Sequence, residues 1–106
     1  DVRDSIAIEL IKKLLRKKVK ITIHDPKALE NTRKIFGNKI NYSRSVGDAL
    51  SKSQCVILMT QWKQYEKLGN NEFKRMTKKI VIDGRRMLSG KQLDVDYFAI
   101  GLGKEK

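Results

Sequence analysis

The chain has one cysteine, one proline and one histidine in 106 residues. Cys55 has no second cysteine in the chain, so no internal disulfide is available, which fits a reducing cytoplasm. One Cys and one His do not make a zinc site. No apolar run approaches the ~20 residues of a membrane span, and no signal-peptide pattern opens the chain. The glycine-rich phosphate loop G-x-G-x-x-G is absent. Acidic residues are also scarce: 12 against 24 Lys and Arg, for a formal net charge of +12.

Hydrophobic residues still make up 40% of the chain. That is enough for one folded domain over 1–106 with one core, and it excludes a disordered basic tail. Lysine is spread along the whole length, with clusters at Lys12-Lys13, Arg16-Lys17-Lys18 and Lys78-Lys79. An even spread is a solvated surface. The alternative is a nucleic-acid face, because basic patches hold phosphate without regard to base sequence.

Periodicity alternates along the chain. Ala7, Leu10, Ile11 and Leu14 follow i, i+3, i+4, i+7, which predicts a helix from Ser5 with Ser5 or Asp4 as its cap. KITIHD (20–25) alternates with period two and predicts a strand. Asp25-Pro26 ends it as a cap and first helical residue, and the helix that follows stops at Gly37. KINYS predicts a short strand, and Ser45 with Asp48 has capping-box spacing. CVILM (55–59) is continuously apolar, as in a strand buried on both faces near the centre of a parallel sheet. Two helical pieces follow, the second using Phe73 and Met76, then strands at KIVIDG and DYFAIG. The order predicts an α/β fold: a Rossmann-like open parallel sheet with helices on both faces. The chain opens directly on a helix, so the first strand is expected to be missing, as in a piece of a longer protein.

In such sheets ligands sit beyond the carboxyl ends of the strands. That selects His24-Asp25, Thr60-Gln61-Trp62 and Asp83-Gly84-Arg85-Arg86. Asp25 stands where a dinucleotide fold holds a ribose, but without the phosphate loop it reads as a cap. His24 has no partner at a useful sequence spacing. Cys55 reads as a small core residue and not as a nucleophile. Trp62 reads as packing, with base stacking as the alternative. In VIDGRR, Gly84 is expected to permit a turn that a side chain would block. Asp83 holds that turn or pairs with an arginine. One arginine can grip a diphosphate; a surface ion pair is the alternative.

With these residues in view, the chain resembles the C-terminal UDP-binding domain of the UDP-glucose 6-dehydrogenase family over essentially its whole length. DVRDS is similar to the family's D-[VI]-R-[ED]-S, IHDPKA to Y-D-P-K-A, and ILMTQW to a strand ending in T-E-W, with Gln61 in place of the usual acid. VIDGRRML resembles the D-G-R turn and YFAIG the closing strand.

The resemblance implies an NAD-dependent oxidation of UDP-glucose to UDP-glucuronate in two hydride transfers, in polysaccharide biosynthesis. It implies that Arg3 reaches NAD and that Arg85 contacts the UDP-sugar. It implies no catalytic residue and no metal ligand in this chain, since the nucleophilic cysteine lies in a separate N-terminal dehydrogenase domain. The isolated domain would be inactive and the full-length protein a homo-oligomer. Arg86 carries no implied role. Two other readings stay open: a dehydrogenase of UDP-N-acetylmannosamine or GDP-mannose, and a basic nucleic-acid-binding module. Glycine in D-G-R leans toward UDP-glucose, because the mannosamine enzymes usually carry D-T-R.

Overall fold

The computed structural model describes residues 2–101, with side chains described from Ser5 onward. Helix α1 (Val2–Arg16) starts before the expected Ser5, so Ser5 lies inside the helix and does not cap it. The side chains of Arg3 and Asp4 lie outside the described residues. Ile8, Ile11 and Leu15 pack with Phe36 and Ile40, while Leu10 and Leu14 stay half-buried beside that stripe. Of the expected Ala7, Leu10, Ile11 and Leu14, Ile11 is in the packed stripe, while Ile8 and Leu15 stand in it where Ala7 and Leu14 were expected. An apolar arc wider than 100° offers both stripes, and only the neighbouring strands choose between them. The helix ends without glycine: Lys18 takes φ 62, and the Val19 N–H returns to the Leu14 carbonyl at 3.1 Å.

Strand β1 (Thr22–Ile23) runs parallel to β2 (Asn41–Tyr42). Ile21 and Ile23 face the same cluster as Ile11, as period two requires. Between them lies α2 (Leu29–Phe36). The Asp25 carboxylate accepts from the N–H groups of Lys27 and Ala28 at 2.8 and 3.0 Å. It thus caps a turn over 26–28, and α2 begins only after that turn. Gly37, at φ 54, stops α2 where a side chain would be strained.

The second half holds α3 (Val46–Leu50), β3 (Cys55–Leu58), α4 (Lys63–Glu66), α5 (Asn70–Phe73), β4 (Ile80–Asp83) and β5 (Asp96–Ala99). Ser45 caps α3 by accepting from the Asp48 N–H at 3.0 Å. The three strands are parallel in the order β3-β4-β5. β4, not β3, is therefore the middle strand. Only Leu58 of β3 is fully buried, and Cys55 is exposed at its start. Both findings correct the sequence expectation. Among the described residues β3 has a strand on one edge only, so an apolar run did not mean burial on both sides.

Leu58, Val81 and the paired Val56 and Tyr97 face the larger core, made with Leu50, Tyr65, Leu68, Phe73, Met76 and Leu88. On the opposite face Phe98 is 54% exposed. The β4–β5 connection contains no helix. Arg86 (φ 55) and Gly90 (φ 85) both take left-handed backbone, which a helix cannot continue.

Candidate functional site at the strand ends

All strands are parallel within their sheets, so 24–26, 43–44, 59–62 and 83–86 gather at carboxyl ends. Asp83 is fully buried. Its Oδ2 accepts from the Leu88 N–H and the Tyr97 hydroxyl, both at 2.7 Å, and its Oδ1 accepts from the Arg85 N–H at 3.1 Å. A buried carboxylate is tolerated only with such donors. Asp83 therefore holds the turn, and among the described residues it forms no ion pair with an arginine. Burial, reinforced by the neighbouring Asp83, pushes the Tyr97 phenol up, so it remains a donor. Gly84 is buried, and Arg86 takes a left-handed backbone conformation in this turn.

The turn fixes where the Arg85 backbone leaves the sheet. Its Nη2 donates to Gln61 Oε1 at 3.3 Å, and Gln61 Nε2 donates to Glu66 Oε2 at 3.5 Å. Among the described residues, Arg85 Nη1 is buried without a hydrogen-bond partner, and the same holds for Trp62 Nε1. One of these donors follows β3 and the other follows β4, and such groups are costly to leave unpaired.

Trp62 packs against the larger core, as expected, and the Lys27 ammonium lies over its ring at 5.5 Å. His24 is not alone. Its Nδ1 is 2.7 Å from the Tyr65 hydroxyl, which also donates to the His24 carbonyl at 2.9 Å. Desolvation, with a contribution from Asp25, holds the Tyr65 phenol well above its ordinary range. These two contacts tie the end of β1 to the segment after β3. Sequence reading missed the His24 partner because it lies 41 residues away. Next to this seam, His24, Asp25, Pro26, Leu29, Ser43 and Arg44 line an open cleft of about 250 Å³. Arg85 does not line that cleft.

Of the residues assigned from sequence, Arg85 stands at the strand end with a free donor, and Arg3 belongs to the first turn of α1 with its side chain outside the described residues. Desolvation raises the Cys55 thiol, the direction opposite to that of an activated nucleophile.

Residues 1–90 match the UDP-glucose/GDP-mannose dehydrogenase family, UDP binding domain. The chain is 38% identical over 97 residues to the UDP-glucose 6-dehydrogenase AglM of Haloferax volcanii, covering 92% of this chain and 22% of that protein. It is 34% identical over 106 residues to the UDP-glucose 6-dehydrogenase of Rickettsia conorii, covering 95% and 24%. The structure of a UDP-glucose dehydrogenase from the archaeon Pyrobaculum islandicum superposes with a TM-score of 0.69 at 28% identity, over 86% of this chain and 19% of that one. The chain spans less than a quarter of the length of these relatives.

Proposed function

The chain belongs to the UDP-glucose/GDP-mannose dehydrogenase family, and on that premise we propose that it is the C-terminal UDP-binding domain of a longer NAD-dependent UDP-glucose 6-dehydrogenase. The observation that carries this reading is the Arg85 guanidinium, held by one nitrogen and unpaired at the other, at the carboxyl end of the sheet. A diphosphate supplies the missing acceptor, and a guanidinium suits it in charge and geometry.

In the full enzyme NAD bound in the dehydrogenase domain would supply the hydride acceptor for two successive two-electron oxidations, by which the C6 alcohol and one water become the carboxylic acid with release of two protons. This domain's share is to bind and orient. Arg85 holds the diphosphate, Asp83 holds the turn that presents Arg85, and the Tyr65–His24 contact keeps the two halves of the strand-end surface together. The residues here do not fit a resident NAD. Asp25 spends Oδ1 on two backbone N–H groups, and residues 1–106 contain no G-x-G-x-x-G phosphate loop. NAD thus belongs to the N-terminal dehydrogenase domain, with Arg3 assigned to reach it from this side. No described helix is long and apolar enough to cross a membrane. The single thiol fits the cytoplasm, and the full-length protein is assigned as a homo-oligomer.

The test mixes the full-length protein with NAD and UDP-glucose and counts NADH. About two NADH per sugar is expected when one NAD-linked site takes both hydrides. Turnover of UDP-N-acetylmannosamine or GDP-mannose in its place would keep the family and change the substrate. No turnover of any of them, with salt-sensitive binding of any polyanion, would favour the nucleic-acid reading. Arg85→Ala is expected to cost on the order of 1.5–3 kcal/mol of transition-state binding, about ten- to a hundredfold in kcat/KM, with the fold intact. An unchanged kcat/KM would remove Arg85 from the site. Arg3→Ala is expected to act on the KM for NAD.

A further inference from the structure

We propose that Tyr97, on the closing strand β5, is a positioning residue for Arg85: its hydroxyl fixes the rotation of the Asp83 carboxylate, and that carboxylate holds the Arg85 backbone. This role rests on the reading of Arg85 as the diphosphate contact. Sheet hydrogen bonds secure the chain as far as Gly84. The Gly84 N–H donates to the Leu58 carbonyl of β3 at 2.8 Å, and the Asp83 carbonyl accepts from the Ile100 N–H at 3.1 Å. At Arg85 a side chain takes over, because the Arg85 N–H donates to Asp83 Oδ1 at 3.1 Å. Whatever orients that carboxylate therefore orients the base of the arginine.

Tyr97 pairs with Val81 in the β4–β5 register, so it shares a face with Val81 and Asp83. From there its hydroxyl reaches Asp83 Oδ2 at 2.7 Å. The other two donors, the N–H groups of Arg85 and Leu88, lie two and five residues past Asp83 in the turn itself. They fold the turn onto the carboxylate and follow it if it rotates. Tyr97 is the donor that belongs to the sheet, and its side chain packs against the larger core. It thus sets the plane of the carboxylate relative to β4 and β5. The terminal torsion of an aspartate is broad, so without this donor several orientations are open. The Arg85 N–H bond is the longest of the three and the first to open when the plane turns. A looser arginine must then be ordered by the ligand, which lowers affinity.

The experiment is a double-mutant cycle on the full-length protein. UDP binding is measured by calorimetry for the parent, Tyr97→Phe, Arg85→Ala and the double variant, at a temperature where melting curves show all four folded. Phenylalanine keeps the ring and removes only the hydroxyl. Tyr97→Phe is expected to weaken UDP about three- to tenfold in the parent. In the Arg85→Ala background it should weaken UDP by less than about twofold, because the residue it positions is gone. With UDP-glucose and NAD, Tyr97→Phe should raise the KM for the sugar by a similar factor and leave kcat and the KM for NAD near the parent. Ser89→Ala is the control: Ser89 Oγ is 3.5 Å from the same hydroxyl and its loss should leave UDP binding unchanged. Equal weakening by Tyr97→Phe in both backgrounds would mean a general loosening of the domain and would overturn the role of Tyr97. So would normal UDP binding by Tyr97→Phe while Arg85→Ala is weakened, and in both cases the diphosphate reading stands. Should Arg85→Ala bind UDP normally, both fall.

Discussion

The two sheets of this molecule are built differently. The β3-β4-β5 half buries Leu50, Leu58, Tyr65, Leu68, Phe73, Met76, Val81 and Leu88 in one cluster, with Phe73 and Val81 at 0% exposure. The β1-β2 half has two-residue strands and buries Ile11, Phe36 and Ile40. A two-stranded unit with so small a core is marginal by itself. The halves meet through the Tyr65–His24 and Lys27–Trp62 contacts. One half thus acts as an anchor and carries Arg85 on a rigid turn. The other is held largely by the seam, and it supplies most of the open cleft.

The largest test of this contrast is Phe73→Ala. It should remove about 3–5 kcal/mol and lower the global urea midpoint, because no neighbour can fill the site of a fully buried ring. Phe36→Ala in the smaller cluster should cost less and act locally. Hydrogen exchange should then speed up at residues 21–23 and 41–43 while 80–83 stay protected. Equal global losses from both would erase the distinction between anchor and satellite.

Asp83→Ala comes next. It strands two backbone N–H groups and a tyrosine hydroxyl in a buried place, at roughly 2–4 kcal/mol in total. It should also loosen Arg85, so UDP affinity falls along with stability. A stable Asp83→Ala protein with normal UDP binding would show that the turn does not depend on its carboxylate.

Tyr65→Phe is the smallest, at about 1 kcal/mol, and it addresses the seam alone. It also has a pH signature. The folded-state pKa of Tyr65 lies above its ordinary 10.0 because burial disfavours the phenolate, with Asp25 adding to the effect. Above about pH 10 the unfolded chain loses this proton while the folded chain keeps it. Stability from this group is therefore whole below pH 10 and falls as pH rises further. Tyr65→Phe should flatten the decline of melting temperature between roughly pH 10 and 11. The same slope in both proteins would remove Tyr65 from the alkaline transition.

Much of this was legible in the residues. The period-two run KITIHD marked β1, short apolar runs marked β4 and β5, Gly37 marked the end of α2, and Ser45 marked the cap of α3. These signals are local: each depends on backbone geometry within a few residues. The misses share a cause. CVILM reads as a central strand, but whether an apolar strand has two neighbours is set by distant segments. DGRR marks a turn, but only the fold shows that the Asp83 carboxylate holds the Arg85 and Leu88 N–H groups and that Arg86 takes the left-handed conformation.

The site divides in the same way. Asp83-Gly84-Arg85 after a strand was visible as a candidate anion-binding turn, with a surface ion pair as the open alternative, since residue type and position on a parallel strand go no further. Three things were not visible: the partner of His24, the contact between Gln61 and Arg85, and the orphan donors Arg85 Nη1 and Trp62 Nε1. By itself the sequence determined the class of fold, the order of its elements and the cation at the strand end, because hydrophobic period and turn chemistry act over short range. Only the tertiary structure decided which strand is central, which helix stripe is buried and which donors are left for a ligand. Those depend on side chains brought together from 24 to 41 residues apart, and no local pattern encodes such a meeting.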